Sequence, residues 1–187
     1  MQYRVEDLYS KHAASLGLTL VTGEKGLHRA IKVPEADRPG LSLAGSLKGY
    51  APKRILVFGK AEMEYLRDLG AQERTMRLAS ILSTHTPLVI VARRYKPTKE
   101  MSSLCEKCGI ALFRTDMSTM DVLSKLALIL SEEFAPSSTC HGTLVEVFGL
   151  GVLIQGSSSV GKSETALGLI ERGHRLIVDD IHLNFFG

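Results

Sequence analysis

Three observations predict an α/β fold in two parts. Short apolar runs alternate with stretches of helical periodicity through residues 5–130, and a polar, proline-containing break follows at Ala135-Pro136-Ser137-Ser138-Thr139. Beyond the break, Gly156-Ser157-Ser158-Ser159-Val160-Gly161-Lys162-Ser163 reads G-x-x-x-x-G-K-S between an apolar run and a helix-like stretch. Strands alternating with helices imply a sandwich on a largely parallel sheet. The expected organisation is an N-terminal α/β sandwich domain over residues 1–134, a linker at 135–140, and a P-loop domain over 141–187.

Each element has its own signal. Val5, Leu8, Ala13 and Leu16 give one apolar helical face, and Leu18-Thr19-Leu20-Val21 reads as a strand stopped by Gly23. Arg54 to Phe58 is a short apolar strand, with helices predicted over 61–69 and 72–84. Pro87 to Ala92 is a second buried strand, followed by a helix around Met101–Lys107 and a strand Ala111-Leu112-Phe113-Arg114. Met120, Val122, Leu123, Leu126, Leu128, Ile129 and Leu130 form a last helix with a broad apolar face, for which Met117 and Met120 read as core filler. After the break, Thr143–Phe148 and Gly151–Ile154 suit an antiparallel hairpin across Gly149-Leu150. A helix over Glu164–Arg172 and a strand Arg175–Val178, ending in Asp179-Asp180, complete the pattern.

Composition narrows the classes. With 187 residues, 44% apolar and 23% charged, the chain has the balance of globular protein. No apolar run approaches the roughly 18–20 residues of a membrane span, and the N-terminus lacks the pattern of a signal peptide; a cytoplasmic location is expected. The charge of +3 is unevenly spread: residues 1–140 hold 20 Lys and Arg against 15 Asp and Glu, and residues 141–187 hold 3 against 5. The densest basic cluster, Arg93-Arg94-Tyr95-Lys96, is short and suits a solvated strand-end turn, so no nucleic-acid partner is expected. Cys105 and Cys108 form a C-x-x-C within a predicted helix, with no second pair to complete a zinc site, and read as reduced thiols.

The loop at 156–163 carries the chemistry. Glycines at its two ends let backbone N–H groups turn toward phosphate oxygens, Lys162 reaches the β- and γ-phosphates, and the Ser163 hydroxyl suits Mg²⁺. A strand that delivers Asp179 and Asp180 near such a loop puts carboxylates where metal and γ-phosphate sit. If the strand runs on through them they point to opposite faces and have separate tasks, one at the metal, one accepting a proton from a hydroxyl or orienting a water. Taken alone, His141 reads as a surface or capping residue, and His174 and His182 share that default.

Together, His141-Gly142, the hairpin and GSSSVGKSETALGLIERGHRLIVDD resemble the HPr kinase/phosphorylase family. The first half resembles it in Arg38-Pro39-Gly40-Leu41, Arg54-Ile55, Glu64-Tyr65-Leu66 and Ala135-Pro136. The resemblance implies a second domain similar to phosphoenolpyruvate carboxykinase, a homohexamer, and Mg²⁺-dependent phosphorylation of a serine of the phosphocarrier HPr from ATP or pyrophosphate, reversed by phosphorolysis. It implies that Gly156, Ser157, Ser158, Ser159, Val160, Gly161, Lys162 and Ser163 bind the donor, that Ser163 and Asp179 serve the metal, and that Asp180 is the general base, supported by His141. No membrane partner is implied.

Two departures stand out. Ser159 occupies a position where the family usually has Gly, so a side chain there strains the loop if φ is positive. The family also continues beyond the point reached at Gly187, into a further acidic metal ligand, a catalytic arginine and HPr-contacting elements, so a shortened kinase domain is expected. Two alternatives stay open: a non-catalytic, nucleotide- or phosphate-binding regulatory fragment, and another P-loop kinase or ATPase.

Overall fold

The computed structural model describes the chain except residues 1, 49, 50, 136, 158 and 187; residues 137–141 and 180–186 are described by backbone alone. The chain divides into two compact units, Met1–Phe134 and Ala135–Gly187.

The first unit is a five-stranded sheet in the order β1-β5-β4-β3-β2. Its strands are β1 (Thr19–Thr22), β2 (Ala36–Asp37), β3 (Ile55–Phe58), β4 (Leu88–Val91) and β5 (Ala111–Arg114). Strands β2 to β5 run parallel, and β1 pairs antiparallel with β5. The helices are α1 (Val5–Leu16), α2 (Gly40–Leu43), α3 (Lys60–Asp68), α4 (Ala71–Ile81), α5 (Lys99–Cys108) and α6 (Thr119–Glu133).

The period of two along each strand separates two cores. Ile55, Val57, Leu88, Ile90, Ala111 and Phe113 pack on one face with Leu8 and Leu16 of α1 and Val122, Leu126 and Leu130 of α6. Leu56, Phe58, Val89, Val91 and Leu112 pack on the other with Met63 of α3, Leu78 of α4, and Met101 and Cys105 of α5. Burial on both faces explains why these strands read as continuous apolar runs. Cys105 lies in this second core, and burial pushes its thiol up to about 12. It and Cys108 are free cysteines on α5.

Three small elements escaped the sequence pattern: β2, α2 and a 3₁₀ turn at Glu24–His28. The turn presses against β5, since a Cβ on Gly26 would lie 2.2 Å from the Ala111 nitrogen and one on Gly23 2.0 Å from the Ile110 oxygen. Met117 packs at the α1/α6 core, but Met120 is 64% exposed, which corrects its reading as core filler. Arg93 and Arg94 form the turn after β4, both at φ 59°, with Arg94 paired to Asp116 at 3.1 Å.

The second unit is antiparallel, with strand order β7-β6-β8 and, among the described residues, one helix, α7 (Lys162–Glu171). The hairpin joins β6 (Ser137–Val147) to β7 (Leu150–Gln155) with register Val147↔Leu150. Strand β6 begins at Ser137, earlier than the run at Thr143 predicts. Strand β8 runs Arg175–Phe186, so Asp179-Asp180 lie mid-strand and not at its end. The alternation Ile181, Leu183, Phe185 is the period-two signal for that extension.

Candidate phosphate-binding site

The 156–163 loop links β7 to α7, the strand–loop–helix context the motif requires. Gly161 caps α7 at φ 95°, a left-handed conformation that suits glycine. The first intrahelical bond runs from the Thr165 N–H to the Gly161 oxygen at 2.9 Å. The N–H groups of Lys162, Ser163 and Glu164 therefore precede the ladder at the positive end of the helix dipole. Gly156 sits close to Val160: a Cβ there would lie 2.6 Å from Val160 Cγ1, a side chain that would have to shift.

Lys162 is half-buried, and its ammonium donates to the Gly156 oxygen at 3.0 Å and the Ser157 oxygen at 2.8 Å. The cation is thus folded back over its own loop. Ser163 is exposed on the first turn of α7, and Val160 is 62% exposed. Ser159 stands at φ 65°, so the left-handed conformation raised as a condition by the sequence is the one it adopts. Ser158 lies outside the described residues.

The carboxylate strand carries a feature that sequence reasoning missed. Gly142 pairs with Ile181 and Leu144 with Val178, so Thr143 alone faces two residues, Asp179 and Asp180. This is a β-bulge, which re-aims side chains and interrupts strict alternation. The expected division of Asp179 and Asp180 between opposite faces therefore meets an irregular register, with the side chain of Asp180 outside the described residues. Thr143 is 2% exposed and donates its hydroxyl to Asp179 Oδ1 at 2.8 Å. Asp179 itself is exposed. His141 lies on β6 opposite His182 of β8; the side chains of His141 and Asp180 lie outside the described residues.

Among the described residues no group of three His, Cys, Asp or Glu side chains converges as a closed metal cage. Ser163 and Asp179 offer hard oxygen donors, one hydroxyl and one carboxylate. That donor set fits Mg²⁺, which keeps several waters and takes the remainder of its shell from substrate phosphates. Among the described residues, no helix is long and apolar enough to cross a membrane.

Comparison with known proteins agrees over both units. Residues 3–130 match the model for the HPr serine kinase N terminus, and residues 132–184 match that for the HPr serine kinase C-terminal domain. The chain is 41% identical over 163 residues to an HPr kinase/phosphorylase of Exiguobacterium sp., covering 87% of this chain and 52% of the relative. It is 40% identical over 177 residues to HPr kinase/phosphorylase 1 of Oceanobacillus iheyensis, covering 95% and 56%. For the HPr kinase/phosphorylase of Bacillus subtilis the identity is 39% over 163 residues, covering 87% and 53%. The chain spans about half the length of these relatives. With both halves matched and this identity along most of its length, the chain belongs to the HPr kinase/phosphorylase family, a family of enzymes.

Proposed function

We propose that this chain carries the donor-phosphate site of an HPr kinase/phosphorylase. The reaction would move a phosphoryl group from ATP or pyrophosphate to a serine of HPr, and return it to inorganic phosphate as pyrophosphate. The observation that carries the reading is the loop into α7, with Lys162 folded over the Gly156 and Ser157 carbonyls. A donor phosphate would draw that ammonium outward, replacing two neutral acceptors with an anionic one, a stronger charge-assisted bond. The N–H groups that open α7 would stabilise charge on the transferred group.

In this reading Ser163 and Asp179 hold Mg²⁺, which would neutralise charge on the donor oxygens. Thr143 orients the Asp179 carboxylate. Asp180 accepts the proton from the attacking serine hydroxyl, and in reverse returns it to the seryl oxygen as phosphate attacks phosphorus. His141 supports Asp180. The names of the relatives support HPr as acceptor; the P-loop alone does not choose among acceptors. We further propose residues 1–134 as the N-terminal domain, 135–140 as the linker and 141 onward as the kinase domain, similar to phosphoenolpyruvate carboxykinase. A homohexamer in the cytoplasm completes the proposal.

The test incubates this chain, and a version extended to the length of its relatives, with HPr, Mg²⁺ and γ-labelled ATP. Label on an HPr serine from the extended chain, abolished by Asp180→Asn with donor binding retained, is the expected result. Nucleotide binding without transfer from either chain would overturn the kinase assignment. Full transfer by the Asp180→Asn enzyme would remove Asp180 from the general-base role.

A further inference from the structure

The first unit contains a cleft of about 310 Å³ near the N-terminal ends of β3 and β4, lined by Gln2, Arg29, Lys32, Lys53, Thr84 and His85 among others. No Asp or Glu lines it. Lys32 and Lys53 make no ion pair among the described residues, and neither does Arg29.

Arg29 is the unusual member. Its Nη1 donates to the carbonyl oxygens of Ser83 (3.4 Å), Thr84 (3.0 Å) and Thr86 (2.6 Å), and its Nη2 to that of Cys108 (2.5 Å). These four acceptors, three on Nη1 and one on Nη2, are neutral carbonyls and leave the charge uncancelled. Burial accordingly pushes this guanidinium below its ordinary value. Partly buried charges are normally paired, because desolvation is offset only by a counter-charge. The other charged residues that line the cleft, Lys32 and Lys53, are exposed cations and supply no counter-charge.

We propose that this cleft is a binding site for a small polyanion bearing phosphate or carboxylate groups, independent of the 156–163 loop. The anion would supply the counter-charge that the fold omits. Arg29, fixed by its carbonyls, contributes a preorganised field, and Lys32 and Lys53 contribute direct, mobile donors. The cleft is large enough to admit an anion of the size of pyrophosphate.

The test uses isothermal titration with the full chain carrying Lys162→Ala, which silences the loop. Pyrophosphate without Mg²⁺ and, in a second arm, citrate are the probes, separating phosphate from carboxylate recognition. One equivalent of either probe should bind, and Lys32→Ala with Lys53→Ala should weaken it at least tenfold at unchanged far-ultraviolet circular dichroism. Arginine at both positions should restore binding. The proposal is overturned if neither probe binds the Lys162→Ala chain, or if binding is indifferent to the two lysines. Should the loop reading fail instead, Lys162→Ala will leave total anion uptake unchanged while the lysine dependence in the cleft persists.

Discussion

Ser159→Gly is expected to tighten phosphate binding through the backbone alone. Ser159 is exposed, makes no hydrogen bond among the described residues, and stands at φ 65° two positions before Gly161 at φ 95°. A left-handed non-glycine residue costs about 1–2 kcal/mol. On the proposed function a bound phosphate would hold the loop in this conformation, whereas the exposed loop without one is free to leave it, so the cost would fall on binding. Glycine removes the strain but gives the empty loop more freedom, which returns about 0.4–1 kcal/mol. The net gain is about 0.5–1 kcal/mol, or roughly a two- to fivefold lower Kd. Calorimetric titration with Mg²⁺-pyrophosphate on the wild-type chain and on Ser159→Gly, Ser159→Ala and Ser159→Val measures it. Alanine should match serine, because it keeps the Cβ, and valine should weaken binding by at least about threefold, since β-branched residues tolerate positive φ poorly. Equal affinity for the glycine and valine variants would refute the reasoning, since it would mean that binding does not depend on this backbone conformation.

Thr143→Val removes the hydroxyl that Asp179 accepts. It should weaken Mg²⁺-pyrophosphate binding by about 1 kcal/mol, with Thr143→Ser restoring affinity in the same titration. Gly26→Ala forces a Cβ to 2.2 Å from the Ala111 nitrogen and 2.8 Å from the Gly109 oxygen, both backbone atoms that cannot swing aside. A loss of about 3 kcal/mol follows, read as a drop in Tm of roughly 10 °C for the first unit. Glu100 is held below the usual carboxylate range by its own backbone N–H and by Arg74 at 3.1 Å. The Thr22 hydroxyl and the Gly23 N–H do the same for Glu106. Both carboxylates contribute stability fully present above the unfolded value near about 4.3 and lost as pH falls through their lower folded values. Thermal melts should thus be level from pH 7 to about 5 and decline below about 4, with a shallower decline in Glu100→Gln/Glu106→Gln.

The parallel strands were legible because burial on both faces writes itself as continuous apolar runs, and β5 at Ala111–Arg114 coincides with its run. The helix that carries Lys162 was legible because the motif supplies its N-terminus. Short elements were not, since two residues of β2 or four of α2 hold less than one period of any pattern. Met120 was misread because Thr119 and Val122, rather than Met120, take the inward face of α6. The end of β8 was misread for a different reason. Two adjacent carboxylates look like a polar terminus, and that impression outweighed the alternation of Ile181, Leu183 and Phe185 beyond them.

The bulge at Asp179-Asp180 lay further from reach, since it exists only in the pairing of two strands 36 residues apart at the Thr143–Asp179 contact. A single sequence shows Asp179 and Asp180 but not that one threonine opposes both. Had the strands paired without the extra residue, alternation would send successive side chains to opposite faces. The bulge interrupts that constraint, and a second register shift follows at once between Leu144 and Val145. Thr143 then gains its importance from burial: its hydroxyl has lost most of its access to water, so the Asp179 carboxylate is its compensating acceptor. The stability of the sheet and the orientation of the carboxylate are thereby joined in one hydrogen bond. That coupling is why Thr143→Val and Thr143→Ser must be compared, because only the hydroxyl, and not the volume, distinguishes an orienting role from simple packing.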